Sequence, residues 1–545
     1  MTKNAHRASL SKEFLRNIVK TKNPDEMLAD AKKEGLEKTL GVWDLIILGI
    51  GAIIGSGIFA VVGIAAAGGS ESVGAGPALV VSMVVAAFAC VFSALCYSEF
   101  AAMIPVAGGA YTYTFATLGE FAAWMIGWIL MLEYAIGYIA VACAWSNHLM
   151  QLLKGLTFLP SWLTAPPVWL VNDLRSSTKI LTDSGLDPSL VLPTIAGIPI
   201  SINLPAIFIV VAITMLLIKG TKDSTKMAGV MVVVKLSVIA LFLLVGAFYV
   251  KPANWVPFAP NGFEGVFMGA FVIFFAYIGF DALATTAEEC KNPQKDLPIG
   301  IIGSLIITTI IYVLVALVLT GMQPTSGAVA VPLEFLKAPM AYVMTVAGQN
   351  WAAGLISIGS LAGLTSVLLV LQMAATRILY AMSRDNFLPK KLQKLHPKYH
   401  TPHVLTWTVG IVCILGTLTL DLNVAAELCN FGTFTSFIVV CVAILILRKT
   451  DPDRHRPFKV PFSPFFPVMG IICCGGLMIY SMQFLTTSAI LFPIWVGFGA
   501  LIYFHYGYKK NRKLEIANKK IEMEAETASD EEVPSLPSLE SNPST

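Results

Sequence analysis

Apolar runs of about 20 residues, the length a membrane-crossing helix needs, recur along most of this 545-residue chain. Inside a bilayer a helix satisfies its backbone polar groups within itself, so such runs limit the possible folds strongly. Only 13% of the residues are charged, against about 25% in soluble domains. The sequence therefore predicts an all-α integral membrane protein. Twelve spans are placed at residues 41–67, 76–104, 119–149, 202–219, 226–250, 264–289, 297–321, 349–382, 402–420, 424–448, 464–486 and 488–508.

The distribution of positive charge supports this arrangement of spans. With a cytoplasmic N-terminus, the inside segments hold 31 of the 37 Lys and Arg residues and the outside loops hold five, while Lys235 lies within a span. Cytoplasmic loops of multi-pass membrane proteins are rich in Lys and Arg. We therefore expect a multi-pass protein of the plasma membrane, the inner membrane of a bacterial cell, with both termini in the cytoplasm.

The same pattern divides the chain into a cytoplasmic N-terminal segment (1–40), a twelve-span domain (41–508) and a largely disordered cytoplasmic tail (509–545). The first 40 residues lack the apolar core of a cleaved signal peptide. Nine scattered cysteines and seven histidines show no metal-binding spacing, so we expect no metal and no cofactor. Nothing indicates nucleic-acid binding. A short amphipathic helix is expected outside the bilayer near 333–347.

The run G-I-G-A-I-I-G-S-G-I-F, from Gly49 to Phe59, interrupts the first span. It holds four glycines in nine residues, and each costs about 1 kcal/mol of helix propensity. Glycines four residues apart can let membrane helices pack closely. Alternatively, the backbone is unwound and lines a cavity. In that case the amides of Gly55, Ser56 and Gly57 begin a half-helix, whose N-terminus attracts an anion.

The sixth span carries a second interruption. It reads F-F-A-Y-I-G-F-D-A-L-A-T-T-A-E-E, with Gly279 at its middle and Asp281 shortly after. Transporters with inverted repeats place broken helices at corresponding positions of the two repeats. Free carbonyls of Phe275, Ala276 and Ile278 would accept hydrogen bonds from a cation. A solute with a carboxylate and an ammonium on neighbouring atoms fits both breaks, and this describes an α-amino acid.

Five motifs follow one another in order: the first-span run, C-Y-S-E-F (96–100), P-V-A-G-G-A-Y (105–111), F-A-Y-I-G-F-D (275–281) and A-E-E-C-K-N-P (287–293). They resemble motifs of the amino acid–polyamine–organocation transporters, and R-I-L-Y-A-M-S-R-D-N-F-L-P (377–389) resembles the cationic amino acid transporter branch and its bacterial relatives. The resemblance covers residues 35–510. It implies the leucine-transporter-like fold and alternating access around a midplane site. The implied parts are a first repeat at 41–250, an inverted second repeat at 264–448 and two further helices at 464–508.

Lys235 lies about nine residues into the fifth span, roughly 13 Å deep at 1.5 Å per residue. An ammonium there is costly, so a functional role is the default expectation. The resemblance implies that this lysine contacts the broken first helix, where sodium-coupled relatives hold a cation. It would then carry a proton, although a structural ion pair is the alternative. Glu133 in the third span and Asp281 are its possible partners, and each could relay a proton or only stabilise packing.

Other candidates concern gating and selectivity. Charged residues near the cytoplasmic ends of the spans either pair with one another as an inner gate or are simply solvated. Glu288 and Arg377 are the gate candidates. The full set is Glu99, Glu288, Glu289, Arg377 and Arg384. Phe275 is an outer lid or a packing residue. Aligning G-L-T-S (363–366) with the family's eighth helix places Leu364 near the side-chain pocket. An apolar residue there favours neutral or bulky amino acids over arginine. The candidate substrate-binding residues are Ile53, Gly55, Ser56, Gly57, Phe275, Ala276, Ile278 and Leu364.

These features predict a secondary transporter of L-amino acids, proton-coupled or proton-sensitive and independent of sodium, rather than an enzyme. Symport, exchange and facilitated diffusion remain open, as does the amino acid itself. A polyamine or organic-cation permease is an alternative, although a polyamine has no carboxylate for the first break. A transport-dead sensor on the same fold is another. The role of segment 152–200, the oligomeric state and a small membrane-protein partner are not defined by the sequence.

Overall fold

The computed structural model describes residues 18–34, 38, 40–69, 73–155, 159–195, 197–219, 221–325, 331–399, 401–508 and 512. Regular structure in these ranges is almost entirely helical. The exception is a short antiparallel ribbon of β1 (Thr194–Ile195) and β2 (Ile198–Pro199). Most of the predicted C-terminal tail, including the disorder expected there, lies outside the described residues.

The helices follow one another along most of the chain. The α-helices are α1 (Pro24–Glu34), α2 (Val42–Ile53), α3 (Val62–Ala67), α4 (Leu79–Met103), α5 (Ala110–Thr117), α6 (Glu120–Lys154), α7 (Ser161–Thr164), α8 (Val168–Val171), α9 (Leu174–Asp183), α10 (Pro188–Val191), α11 (Leu204–Lys219), α12 (Thr221–Gly246), α13 (Gly262–Phe274), α14 (Pro293–Met322), α15 (Leu333–Lys337), α16 (Pro339–Val346), α17 (Asn350–Arg384), α18 (His403–Thr419), α19 (Leu422–Thr450), α20 (Phe465–Met482) and α21 (Thr486–Ile502). A π-helical turn occupies Gly57–Val61, and 3₁₀ turns occupy Phe275–Tyr277 and Asp281–Glu289.

Many of these helices have the length and composition of membrane spans. Among the described residues, nine helical stretches meet those criteria, or ten if the bent pair Val42–Ile53 and Gly57–Ala67 is one span. Two shorter apolar helices, α11 and α18, lie between longer ones. The protein is therefore a multi-pass membrane protein that is helical in nearly all of its described residues, and the number of twelve spans stays a prediction.

The long helix α6 is central to the packing. It contacts α17 and α19 along much of its length, while α14 packs against α4 and α2, and α12 packs against α17. Large apolar side chains such as Phe248 and Phe263 point outward, as expected of a surface that lipid covers. The interior is packed with aliphatic, aromatic and small apolar side chains.

The N-terminal segment crosses one face of the bundle, here called the N-terminal face. The Lys22 amide donates to the Phe115 carbonyl at 3.1 Å, and its ammonium lies 3.0 Å from the Asp385 carboxylate. Just before α2, the Leu40 amide donates to the Glu289 carbonyl at 3.0 Å, and the Lys291 amide donates to the Leu40 carbonyl at 2.9 Å. The start of the first span is thus joined to the end of the sixth.

The segment between α6 and α11 lies at the far end of α6, because a 35-residue helix extends about 50 Å. Its helix α9 carries Arg175, 3.3 Å from Asp421, the residue that caps α19. Near the start of α11, Asn203 accepts a hydrogen bond from Ser146 of α6 at 2.6 Å. The segment therefore links the ends of α6, α11 and α19 on the face opposite the N-terminal face.

Candidate functional site

The first span is interrupted at its glycine-rich run. Helix α2 ends at Ile53, and Ile54 adopts an extended conformation with φ −73° and ψ 102°. The chain continues as the π-helical turn Gly57–Val61 and then as α3, with a bend of 40° between the two helical parts. Backbone amides and carbonyls near the bend therefore lack the regular partners of a continuous helix.

The sixth span is interrupted at the predicted glycine. Helix α13 gives way to a 3₁₀ turn, and Ile278 is extended with φ −65° and ψ 140°. Gly279 has φ +124°, and a Cβ there would lie 2.9 Å from the backbone of Ala52 in the first span. Only glycine combines this positive φ with so close an approach.

The two interruptions meet. A Cβ on Gly57 would overlap the backbone of Ala276, so the first and sixth spans are in direct contact at this point. The hydroxyl of Tyr312, buried on α14, lies 3.0 Å from the Ile53 carbonyl and 2.8 Å from the Ala276 carbonyl, and the two carbonyls share its single proton. Tyr312 thus bridges the breaks.

All the residues assigned to substrate binding are buried here or nearby: Ile53, Gly55, Ser56, Gly57, Phe275, Ala276, Ile278 and Leu364. The Ser56 hydroxyl is buried and has no hydrogen-bond partner among the described residues. Such a group is costly unless a ligand or water bonds to it. Leu364 follows Gly363, where a Cβ would lie 3.0 Å from the Phe59 ring and 3.2 Å from Cβ of Lys235.

Lys235 reaches the first break, as the family resemblance implied. Its ammonium donates to the carbonyls of Gly51 at 2.6 Å and Ile54 at 2.7 Å and to the Ser366 hydroxyl at 3.1 Å. The side chain is fully buried. These three acceptors are neutral oxygens from two other helical segments, so the ammonium is held between them by oxygen atoms, as a coordinated cation would be.

The two carboxylates proposed as partners of Lys235 have other contacts. Tyr134 donates its hydroxyl hydrogen bond to Asp281, whose second oxygen accepts from the Gly279 amide at 3.2 Å. Glu133 accepts from Ser436 at 3.4 Å, while its other oxygen has no partner among the described residues. Both carboxylates are buried, and Tyr134, which follows Glu133 in the sequence, connects this helix to Asp281. The structure brings them together, and joins neither to Lys235 by a hydrogen bond.

The gate candidates lie on the N-terminal face. Arg377 of α17 forms an ion pair with Glu289 after the sixth span, whereas Glu288 accepts from the Ala107 amide at 2.9 Å. Both contacts join the sixth span to other parts of the bundle. Glu99 lies apart from them, buried against Arg448. Phe275 is buried.

Asp385 adds a further link on this face. It accepts from the Tyr111 hydroxyl at 2.7 Å and pairs with Lys22. Burial, and then the neighbouring Asp385 carboxylate, raise the pKa of Tyr111 well above its usual value. The hydroxyl therefore stays protonated and keeps donating to Asp385 at physiological pH.

Sequence reasoning did not identify several polar residues at the site. Tyr312 bonds to the breaks, Ser366 accepts from Lys235, and Tyr134 donates to Asp281. Asn430 on α19 is buried, and its side-chain oxygen has no hydrogen-bond partner among the described residues. The only sequence signal for these residues was that each has a hydrogen-bonding side chain within an apolar run. That signal is weak, because such side chains often bond only within their own helix.

Interrupted apolar helices that meet around buried polar groups are typical of membrane transport proteins. Residues 40–502 match the family model described as amino acid permease. The chain belongs to this family, within the amino acid–polyamine–organocation superfamily, and its resemblance to that superfamily is confirmed.

Curated relatives cover nearly the whole chain. It is 43% identical over 490 residues to the branched-chain amino acid permease BcaP of Bacillus subtilis (strain 168), covering 90% of this chain and 97% of that protein. It is 40% identical over 500 residues to the methylthioribose transporter of the same organism, covering 91% and 99%. It is 34% identical over 468 residues to cationic amino acid transporter 9, chloroplastic, of Arabidopsis thaliana, covering 85% and 76%. The chain is therefore an amino acid permease and not an enzyme.

Proposed function

We propose that the protein is a secondary transporter that carries neutral L-amino acids by alternating access and is coupled to protons rather than sodium. The observation that carries this proposal is the meeting of the two breaks, where Gly57 touches Ala276 and Tyr312 bonds to both sides. One solute can reach the amides of one break and the carbonyls of the other only if the breaks are adjacent.

The substrate's backbone is matched to the two breaks. Amides of Gly55, Ser56 and Gly57 begin a helical segment and favour the carboxylate. Carbonyls of Phe275, Ala276 and Ile278 accept from the ammonium. The carbonyl of Ala276 already accepts from Tyr312, and its second lone pair leaves it able to accept again. The Ser56 hydroxyl supplies a further polar group for the carboxylate.

A neutral, branched side chain is the preferred cargo. Leu364 is apolar and buried on the helix that packs against the first break. The relative with 43% identity is named as a branched-chain amino acid permease. A guanidinium or ammonium placed against apolar groups would lose its hydration without a compensating partner, which disfavours arginine and lysine.

Proton coupling is assigned to Lys235, with Glu133 and Asp281 as further proton-carrying groups. The ammonium fills the position of a cation beside the first break, so a change in its charge would alter how that break is held. Loss of a proton is the one change that can remove this charge without moving the side chain away. Sodium is not needed, because the lysine occupies the position.

The remaining features complete an alternating-access transporter. We infer the leucine-transporter-like arrangement of two inverted repeats at 41–250 and 264–448, with twelve spans and both termini in the cytoplasm. The N-terminal face is then the cytoplasmic face. The pairing of Arg377 with Glu289, and the bond from Ala107 to Glu288, would close it while the substrate enters from outside. Phe275 would cover the substrate on the outer side.

A second candidate cargo is methylthioribose, because one relative with 40% identity is named for it. This sugar thioether has neither carboxylate nor ammonium, so it would leave the amides and carbonyls of the breaks without charged partners. A polyamine or organic cation would fill only the carbonyl side. Exchange or facilitated diffusion would use the same site without net proton movement, and a sensor would bind without transport.

Uptake into proteoliposomes separates these possibilities. The purified protein is tested with radiolabelled leucine, isoleucine, valine, arginine, spermidine and methylthioribose, each with an inward proton gradient, an inward sodium gradient or neither. We expect uptake of the branched-chain amino acids, stimulated by the proton gradient and indifferent to sodium. Sodium-dependent uptake that ignores pH contradicts the coupling, and selective uptake of arginine or methylthioribose contradicts the assigned cargo.

A further inference from the structure

We propose that a cavity between α2, α12 and α17 is a water-filled route by which protons pass between Lys235 and the N-terminal face. The cavity has a volume of about 240 Å³. It runs alongside the first half-helix, away from the contact between the two breaks. This inference rests on the proposed role of Lys235 and adds the path by which its proton travels.

The inner end of the cavity reaches the hydrogen-bond partners of the lysine. Gly51 and Ser366 both line it, and both accept from the Lys235 ammonium, at 2.6 Å and 3.1 Å. The lack of a side chain at Gly51 helps to keep this end open, since a Cβ there would lie 2.9 Å from Val232 on the opposite wall. Water at this end would therefore lie next to Gly51 and Ser366, the two residues that line it and accept hydrogen bonds from the ammonium.

The outer end lies on the N-terminal face. Asp44, in the first turn of α2, lines it and is exposed, and its carboxylate accepts from the Gly41 amide at 3.0 Å. Leu40 also lines this end and is held by its backbone bonds to Glu289 and Lys291. An exposed carboxylate at a helix end keeps the entrance in contact with water.

Most of the cavity wall is apolar, but oxygen atoms lie at both ends, and we assign water rather than a lipid chain to it. A molecule of liquid water takes up about 30 Å³, so the volume would hold several. Each end offers oxygen atoms, and a bridging water needs two or more such partners. An acyl chain would shield Asp44 and the Ser366 hydroxyl from water and would gain no hydrogen bonds in return.

No described carboxylate is positioned to take the proton directly. The partners of Lys235 are the two carbonyls of α2 and Ser366 of α17. Asp44 is the charged group that α2 contributes, at the far end of the cavity, and α14 contributes Tyr312, which bonds to carbonyls of the breaks. On α11, the ionisable residue is Lys219 at the helix end. The proton of Lys235 therefore passes to water.

Gly229 on α12 allows a direct test. It lines the cavity, and a Cβ there would meet nothing within 4 Å, so a larger side chain can extend into the open space. With Gly229→Phe, we expect proton-driven net uptake to be lost while exchange of labelled for unlabelled substrate continues, because exchange does not require Lys235 to release its proton. Gly354→Phe is the matched control, since Gly354 is also helical with open space and lies outside the cavity.

The outcomes distinguish the route from the proposed function. If wild-type net uptake ignores a proton gradient, the proton coupling fails, whatever the variants do. If the wild type is proton-driven and Gly229→Phe is as active as Gly354→Phe, the route is wrong. If Gly229→Phe loses exchange together with net uptake, the substitution causes a general structural defect, and the proposal that it blocks only the proton route is overturned.

Chemical labelling provides an independent readout in folded protein. Gly229→Cys should react with a charged, membrane-impermeant methanethiosulfonate added from the N-terminal face, and the modified protein should lose net uptake but keep exchange. The wild type, whose nine cysteines are buried or partly buried, is the background control. Reaction only with a lipophilic maleimide would show a lipid-filled cavity and overturn the proposal.

Discussion

The bridge made by Tyr312 between the two interrupted spans gives the sharpest prediction. Tyr312→Phe removes one hydroxyl and leaves the packed ring in place, next to Tyr277 at a centroid distance of 5.2 Å. The carbonyls of Ile53 and Ala276 then lose their shared donor. A buried acceptor left without a partner costs about 1–3 kcal/mol.

The cost should appear in substrate binding, because the bridge holds together the two halves of the proposed site. If most of the loss falls on the bound state, Kd should rise by about 5- to 150-fold, the equivalent of 1–3 kcal/mol. Equilibrium binding of radiolabelled leucine to the solubilised protein measures Kd, and thermal unfolding measures stability in the same preparation.

Tyr138→Phe is the matched control. Tyr138 is also fully buried and donates its hydroxyl to Gln372 at 3.2 Å, between α6 and α17 rather than between the breaks. We expect a similar loss of stability with no change in Kd. The reasoning about the bridge is refuted if both variants lower Tm equally and neither alters Kd.

Three further predictions address the other parts of the site. Lys235→Met should abolish proton-driven uptake while the protein stays folded by thermal unfolding; pH-dependent uptake that persists would exclude a proton role for this lysine. Gly57→Ala places a methyl group against the backbone of the sixth span and should weaken leucine binding, with overpacking costing about 1–3 kcal/mol. The control Gly497→Ala, where a Cβ has open space, should bind normally. Reversing Arg377 to Glu should slow uptake, and adding Glu289→Arg should restore it; no recovery in the double variant would contradict the gate pair.

The sequence singled out glycines in the first and sixth spans, and the backbone leaves α-helical geometry near both, at Ile54 and at Gly279. The inverted repeat with two broken helices stays a prediction. Gly57 and Gly279 are required by close contacts with Ala276 and Ala52, and the residues needed there have no side chain. The family resemblance likewise led to Lys235 at the first break. The helical, multi-pass character followed from the apolar runs, as the matched family confirms.

The partners of the charged residues could not be predicted in the same way. Lys235 bonds to carbonyls more than 180 residues away, and a backbone carbonyl carries no signature in the sequence. Glu288 and Glu289 are adjacent in the sequence. Which of them forms an ion pair with Arg377 depends on how many residues the segment has per helical turn. The segment Asp281–Glu289 is a 3₁₀ helix with about three residues per turn, so a reading that assumes α-helical rotation places its side chains wrongly.

The backbone bonds between Leu40 and the chain at Glu289 and Lys291 have a practical consequence for work with this protein. They tie the first and sixth spans together below their breaks, so a displacement of one half-helix would have to move the other with it or break these two hydrogen bonds. A truncated protein that begins at Gly41 would lose this tie, whereas an affinity tag at Met1 leaves it in place. A biosensor for the proposed opening of the N-terminal face is best built with labels on either side of this junction.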